Sequence, residues 1–252
     1  MIGKTVLLVN PRVCKPHNAR LPLSLLSLGA VLEGRHPYVI VDANVEPDPL
    51  ASVMSAIAPG SIAAVGVTVM PGPQVADAVA LSSAVRSAYP AIPIVWGGYF
   101  PTLYTEAAIN APYVDFAVRG PGEETLLELL DRLAEPGPVD GGARDSKGLA
   151  GIHGLTWKRD GEVVHNPPRR PQPLATLPPL PYNALPSLAR YHRGTFLSGC
   201  TSVHQAATGC RYHCNFCGVA SMFGGKTSLD EPARLRHHLL ALRDRHGVSS
   251  MM

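Results

Sequence analysis

The chain has 252 residues, of which 46% are hydrophobic and 16% are charged, and its formal net charge is +3. This length can form one large domain or two ordinary ones, and the composition is typical of a globular chain with an ample core. The small charge does not favour nucleic acid or a membrane surface as a partner, and no apolar run approaches the roughly 20 residues that cross a bilayer.

Two further features bear on the cellular compartment. Lys4 is followed by only a short apolar run with no cleavage region, so the sequence shows no signal peptide. Five cysteines, three of them clustered, fit a reducing environment. We therefore expect a cytoplasmic protein that does not contact the membrane.

The first 135 residues alternate short apolar runs with helical patterns. The runs that predict strands are residues 5–9, 38–41, 62–69, 92–96 and 114–118. The segments between and after them predict helices that begin at Pro22 and at Gly120 and that cover residues 49–58, 73–89 and 102–109. This alternation predicts an α/β fold with a Rossmann-like, doubly wound parallel sheet, which binds its ligand beyond the carboxyl ends of the strands. Dinucleotide and triphosphate loops are both excluded, because neither G-x-G-x-x-G nor G-x4-G-K-[ST] occurs.

The composition changes after residue 135. A Gly- and Pro-rich loop leads to a predicted β-hairpin, residues 155–158 and 162–165, around Asp160-Gly161. Residues 166–186 are rich in proline and predict an extended, semi-rigid linker, in which we interpret Arg169 and Arg170 as solvated charges.

The last part has a predicted strand at 203–208, a helix at 231–245 and the start of another strand at 248–252, which together predict the opening of a (β/α) barrel. We divide the chain into residues 1–135, 136–195 and 196–252, and expect the last segment to be an incomplete barrel. The segment 196–252 follows a linker, so we expect proteases to cut between residues 166 and 193.

Three cysteines form the most specific motif. Cys210, Cys214 and Cys217 have C-x3-C-x2-C spacing, which is too tight for a disulfide framework. Such a loop can direct three thiolates to one iron–sulfur cube and leave the fourth iron open. A zinc site completed by His213, or three incidental thiols, are the alternatives. We interpret Cys14 and Cys200 as buried or loop thiols.

Gly209 before this motif and Phe216 before its last cysteine complete a pattern that resembles the signature of the radical S-adenosylmethionine enzymes. The resemblance implies a 4Fe–4S cluster on the three cysteines and S-adenosylmethionine bound at the open iron. It also implies that Phe216 lies against the adenine and that an electron donor such as flavodoxin or ferredoxin reduces the cluster.

The first 135 residues resemble the cobalamin-binding domain that precedes many of these enzymes. The matching pieces are residues 9–11, 97–99 and 119–126. Glycines there would let a bulky, flat corrin approach the backbone. The resemblance implies cofactor contacts from Thr68, Gly97, Gly98, Tyr99, Gly120 and Glu123.

One departure concerns the cobalt ligand. The D-x-H-x-x-G motif is absent after the first strand, and only a histidine, His17, remains there. We interpret His17 as a solvated loop residue, so cobalamin would bind without a histidine on its lower face. A Rossmann-like domain that has lost its ligand is the alternative.

Together these features resemble cobalamin-dependent radical enzymes that methylate or cyclise an organic small molecule, such as the anaerobic magnesium-protoporphyrin monomethyl ester cyclases. A cobalamin carrier or sensor without catalysis is an alternative. A transfer-RNA-modifying radical enzyme is another, although the modest charge speaks against it. Because the predicted barrel contains one complete β–α unit, we expect no substrate turnover by this chain itself.

Overall fold

The computed structural model describes residues 4–58, 60, 62–135, 146–196 and 199–251. Its main feature is a seven-stranded sheet with the order β2-β1-β3-β4-β5-β6-β7. The strands are β1 Thr5–Asn10, β2 Tyr38–Asp42, β3 Ile62–Thr68, β4 Ile94–Gly97, β5 Phe116–Val118, β6 Leu155–Arg159 and β7 Glu162–His165. The first five strands are parallel, which confirms the predicted α/β class. The hairpin β6–β7 adds to β5 in antiparallel register, an extension of the sheet that the sequence did not indicate.

Helices cover both faces of this sheet. They are α1 Leu23–Leu32, α2 Pro49–Ile57, α3 Pro73–Ala88, α4 Tyr99–Leu103, α5 Thr105–Ile109, α6 Glu123–Ala134 and α7 Ser146–Leu149. Asp48 caps α2 by accepting a hydrogen bond from Ala51 N at 3.0 Å, and Pro49 suits the first helical position. The helix predicted at 102–109 is two helices, because the backbone of Tyr104 (φ −127°, ψ 52°) interrupts it.

The core has one cluster on each face of the sheet. Along β1, Val6 and Leu8 belong to one cluster, and Leu7 and Val9 belong to the other. Alternate residues of a strand point to opposite faces, so β1 is buried on both sides, as a central parallel strand should be.

Residues 166–193, which we call the strap, pack into the core cluster that contains Val6 and Leu8. The strap has three 3-10 turns, Leu174–Thr176, Tyr182–Ala184 and Leu188–Tyr191. Its apolar side chains Leu174, Tyr182, Leu185, Leu188 and Tyr191 are all buried. The segment is therefore anchored along its length, and these anchors were not predicted.

The prediction of a solvated charge at Arg169 is wrong. Arg169 is 12% exposed and donates to Glu124 Oε2 at 2.7 Å and to Glu128 Oε2 at 2.5 Å. Its Nε donates to Thr125 Oγ1 at 2.7 Å. These bonds attach the start of the strap to α6, because a planar guanidinium can serve several acceptors at once.

The last part of the chain forms two small sheets and two helices. The elements are β8 Thr201–Ser202, β9 Ala207–Gly209, α8 Val219–Phe223, β10 Thr227–Leu229, α9 Pro232–His246 and β11 Ser250–Met251. Strands β8 and β11 are parallel, and β9 and β10 are antiparallel. The strand predicted at 203–208 is wrong over its first four residues, since residues 203–206 join β8 to β9 without strand structure. Within the described residues, no helix has the length and apolarity that a membrane crossing requires.

Candidate cofactor site

A cavity of about 570 Å³ lies at the carboxyl ends of β3, β4 and β5. Its floor is made by the ends of these strands and the first turn of α6, and α1 forms one side. The opposite wall is made by the residues before the cysteine loop and by α8. The lining includes Leu23, Ser27, Leu28, Gly66, Thr68, Gly97, Gly98, Tyr99, Gly120, Gly122, Glu123, His204, Gln205, Ala206, Ala207, Thr208, Met222 and Phe223. The cavity is therefore enclosed by both the sheet and the last part of the chain.

The structure brings six of the predicted cofactor residues to this one cavity. Thr68, Gly97, Gly98, Tyr99, Gly120 and Glu123 all line it. His17 is exposed in a 3-10 turn, Pro16–Asn18, and does not line the cavity. The cofactor contacts of these residues remain predictions, but their convergence is a structural fact.

The backbone conformation at position 98 requires glycine. Its φ is +99°, and a Cβ there would lie 3.0 Å from Val69 O and 3.2 Å from Thr68 Oγ1. Only glycine adopts this conformation readily, so Gly98 sets the sharp turn between β4 and α4.

Gly97, in contrast, is not required by packing. A Cβ there would find Val118 Cβ at 3.8 Å as its nearest neighbour, which is an ordinary contact. The missing side chain instead leaves room in the cavity. The glycine-lined floor thus fits a flat, bulky group that approaches the backbone closely.

Hydrogen bonds fix the rim of the cavity. Thr102 Oγ1 donates to Gly98 O at 2.7 Å and accepts from Gly120 N at 3.0 Å, which joins the turn after β4 to the turn after β5. Ser27 Oγ donates to Glu123 Oε1 at 2.7 Å and ties α1 to α6. Glu123 therefore has a structural partner as well as its place at a helix N-terminus.

The cysteine loop lies next to this rim. Cys210 is half-buried, Cys214 and Cys217 are exposed, and all three are free thiols. The loop packs on α4 through Gly218, where a Cβ would lie 2.8 Å from Leu103 Cδ1 and 3.2 Å from Tyr99 Cδ1. Burial, and secondly the neighbouring Cys217, raise the pKa of Tyr99.

Phe216 and His213, which lie within the cysteine motif, bear on which metal group the loop could bind. Phe216 is 93% exposed, so it is not held by the described part of the protein. A tetrahedral zinc site places its ligand atoms about 4 Å apart. Among the described residues, the cysteines and His213 do not form such a group. The three thiols lie on one short loop, and two of them are exposed.

A second polar cluster, which we call the histidine pair site, consists of His204, Asp230 and His238. One ligand atom from each lies within 4.8 Å of the others. His204 adjoins β9 and lines the cavity, whereas His238 is buried in α9. Burial lowers the pKa of His204, and it lowers the pKa of His238 to about 4. The sequence analysis missed this site, because no spacing relates positions 204, 230 and 238.

Comparison with known proteins supports these features. Residues 16–130 match the family model of the B12 binding domain. The predicted resemblance to a cobalamin-binding domain is confirmed over these residues.

The chain is 26% identical over 232 residues to an uncharacterized methyltransferase of Pyrococcus horikoshii, covering 91% of this chain and 47% of that protein. It is 25% identical over 234 residues to the anaerobic magnesium-protoporphyrin IX monomethyl ester cyclase of a Synechocystis species, covering 90% of this chain and 43% of that protein. The chain thus spans about half the length of the curated relatives that it matches.

The fold is shared with a solved structure. The radical S-adenosylmethionine methyltransferase TsrM from Kitasatospora setae, determined with cobalamin and a [4Fe-4S] cluster bound, superposes with a TM-score of 0.69 at 22% identity. The match covers 99% of this chain and 47% of that one. At this identity the likeness establishes the fold.

Proposed function

We propose that this chain is the cobalamin- and cluster-binding part of a radical S-adenosylmethionine enzyme that methylates or cyclises an organic small molecule. One observation carries the proposal: a single cavity is walled on one side by the B12-family sheet and on the other by the residues that lead into the C-x3-C-x2-C loop. A domain that only carried cobalamin would need only the wall that the sheet forms. The methyltransferase and cyclase among the curated relatives support the same reaction classes.

The chain's residues fit cobalamin at the floor of this cavity. Gly97, Gly98 and Gly120 offer bare backbone to a flat ring. Leu28 of α1 and Leu126 of α6 supply apolar lining beside the hydrogen-bonded pair Ser27 and Glu123. A Cβ on Gly66 would lie 3.2 Å from Leu8 Cδ2, so packing against Leu8 favours glycine at this lining position.

The cysteine loop fits the cluster on the opposite side. Cys210, Cys214 and Cys217 supply three thiolates, and three ligands leave one iron of a 4Fe–4S cube for S-adenosylmethionine. When bound, the cluster supplies an electron for cleavage of S-adenosylmethionine, and cobalamin supplies a methyl group or tunes the radical. The protein's part is to hold these groups next to each other and to exclude water, which the apolar side chains of Met222 and Phe223 favour.

The proposed function implies two partners, an electron donor and a small-molecule substrate. The exposed positions of Cys214 and Cys217 leave the cluster loop accessible to an electron donor of the flavodoxin or ferredoxin class. The substrate would be a small molecule that enters the cavity between the two walls.

The cluster is tested by anaerobic reconstitution with iron and sulfide. We expect about four irons and four sulfides per chain, and loss of nearly all of this iron in the variant with Cys210, Cys214 and Cys217 changed to alanine. The matched control changes Cys14 and Cys200 to alanine and should keep its iron. Equal iron content in the triple variant and the parent would contradict the proposal.

A further inference from the structure

We propose that the histidine pair site, His204, Asp230 and His238, binds one divalent transition-metal cation that is separate from the cysteine loop. Two imidazoles and a carboxylate are ligands that such cations accept. The proposal does not depend on the proposed function, because none of the three side chains is among the predicted cofactor contacts, although His204 lines the same cavity.

The three side chains are gathered from different elements. The imidazole rings of His204 and His238 are stacked at a tilt with their centroids 4.8 Å apart. The Asp230 side chain, which precedes α9, is 1% exposed, and His238 is 1% exposed. Two nitrogens and one oxygen within 4.8 Å of one another leave a space that one metal ion can bridge.

Unpaired nitrogen atoms at this site are the second observation. The Nε2 atoms of both His204 and His238 are buried and have no hydrogen-bond partner among the described residues. A buried polar atom without a partner is unfavourable, and such atoms are rare in native proteins. A metal ion would satisfy both nitrogens at once.

His204 is also held as a metal ligand would be. Its Nδ1 lies 2.9 Å from the hydroxyl oxygen of Tyr182, a buried residue of the strap. A metal-binding histidine usually donates its other ring N–H to an acceptor, which fixes the ring and its tautomer. The hydroxyl oxygen of Tyr182 can accept in this way, and the contact leaves Nε2 of His204 as the nitrogen available to a metal.

Arg234 limits the affinity. Its Nη1 donates to both carboxylate oxygens of Asp230 at 2.8 Å, and Glu231 N donates to Oδ1 at 2.9 Å. A carboxylate has about four lone-pair sites, so these bonds leave capacity for a metal. The nearby positive charge nevertheless repels a cation, so we expect weaker binding than at a closed structural zinc site.

The location suggests what the metal would do. His204 lines the large cavity, whereas Asp230 and His238 are not among its lining residues. A metal with three protein ligands keeps an open coordination position. That position would accept an oxygen or nitrogen donor of a small molecule in the cavity.

Binding of Co²⁺ tests the proposal, because its visible absorption reports the ligands. The parent for this test is the full chain with Cys210, Cys214 and Cys217 changed to alanine, so that the cysteine loop cannot take the metal. We expect about one Co²⁺ per chain, with visible bands that lack a thiolate contribution and that Zn²⁺ abolishes by competition.

Variants then assign the ligands. His238→Gln and Asp230→Asn should each weaken Co²⁺ binding by at least about tenfold. His237→Gln, which changes the exposed neighbour of His238 on the same helix, should leave the affinity unchanged. If circular dichroism shows that His238→Gln does not fold, the variant His204→Gln, at a half-buried position, replaces it in the test.

Absence of stoichiometric Co²⁺ or Zn²⁺ binding by the folded parent would overturn the proposal and leave a buried polar network that serves packing alone. Equal weakening by His237→Gln would overturn it as well. Loss of the iron–sulfur cluster in its own assay would not affect this result, so the two proposals fail independently.

Discussion

Gly97 and Gly98 stand side by side at the end of β4 but are glycines for different reasons. Gly98 has a positive φ that other residues adopt only with strain, whereas Gly97 has space for a side chain. A substitution at Gly97 therefore separates cofactor binding from folding, which a substitution at Gly98 would not.

We expect Gly97→Val to weaken cobalamin binding at least about tenfold, because the new side chain enters the glycine-lined floor, and a loss of about 1.4 kcal/mol is enough for that factor. The stability should change by less than about 1 kcal/mol. Gly151→Val is the matched control, since a Cβ there meets nothing within 4 Å and Gly151 is exposed. Binding is measured by equilibrium dialysis and stability by urea denaturation. Unchanged cobalamin binding in Gly97→Val would contradict the proposal that cobalamin binds at this floor.

Asp42 at the end of β2 provides a pH-dependent prediction. It is 3% exposed, and its Oδ1 accepts from Asn10 Nδ2 at 3.0 Å and from Asn44 Nδ2 at 2.8 Å. Burial raises the pKa of Asp42 above its ordinary value of 3.8. The folded protein then binds the proton more tightly than the unfolded chain, so stability is lost as the pH rises from about 3.8 through the raised pKa.

Asp42→Asn keeps an oxygen acceptor but does not ionise. We expect the variant to gain stability relative to the parent as the pH rises from about 4 to about 7. Thermal denaturation of both proteins at several pH values measures this difference. A difference that stays constant or shrinks over this range would show that the Asp42 carboxylate is not destabilised by burial.

At the scale of elements, the strap connects the two walls of the cavity. Its first residues are bonded to α6 through Arg169, and its middle is buried in the core through Tyr182, Leu185 and Leu188. The cleavage that the sequence predicted between residues 166 and 193 would therefore require local unfolding.

We expect Arg169→Ala to lower the stability by about 1–2 kcal/mol, because it removes two partly exposed ion pairs and leaves Thr125 and the glutamates without this donor. Cleavage within the strap should become faster as a result. Arg170→Ala is the control, since Arg170 is exposed. The measurement is limited proteolysis with mass spectrometry of the fragments. Equal cleavage rates in the two variants would contradict the assigned role of Arg169.

The elements that were predicted correctly are those whose burial leaves a local pattern. The parallel strands β1, β3, β4 and β5 are largely buried on both sides, so each is a short apolar run, and Gly or Pro marks the turns beyond several of them. The cavity at their carboxyl ends follows from that topology alone. Strands β8 and β9 have two and three residues, which is too few to show a period, and the prediction at 203–208 was displaced accordingly.

Features that depend on the packing of elements distant in the sequence could not be predicted. The hairpin adds to β5 because of the free edge of the sheet, which no local sequence records. The two ion pairs of Arg169 join residues that are more than 40 positions apart. The histidine pair site forms only when α9 packs against residue 204, so its members carry no common motif.

In the molecule as a whole, we propose that the sheet, which includes residues matching the B12 binding domain model, and the residues on either side of the cysteine loop enclose one cofactor cavity. Residues from the sheet ends, α1, α6 and the segment 204–208 all contribute to it. If the claim holds, the sheet residues bind cobalamin in this chain without help from His17, which is exposed and lies away from the cavity lining.

The most direct test is equilibrium dialysis of the folded 252-residue chain against hydroxocobalamin, followed by the absorption spectrum of the bound fraction. The account predicts about one cobalamin per chain, with the same spectrum in His17→Ala as in the parent. No binding by the folded chain would contradict it, and a spectrum that changes in His17→Ala would contradict the assignment of His17.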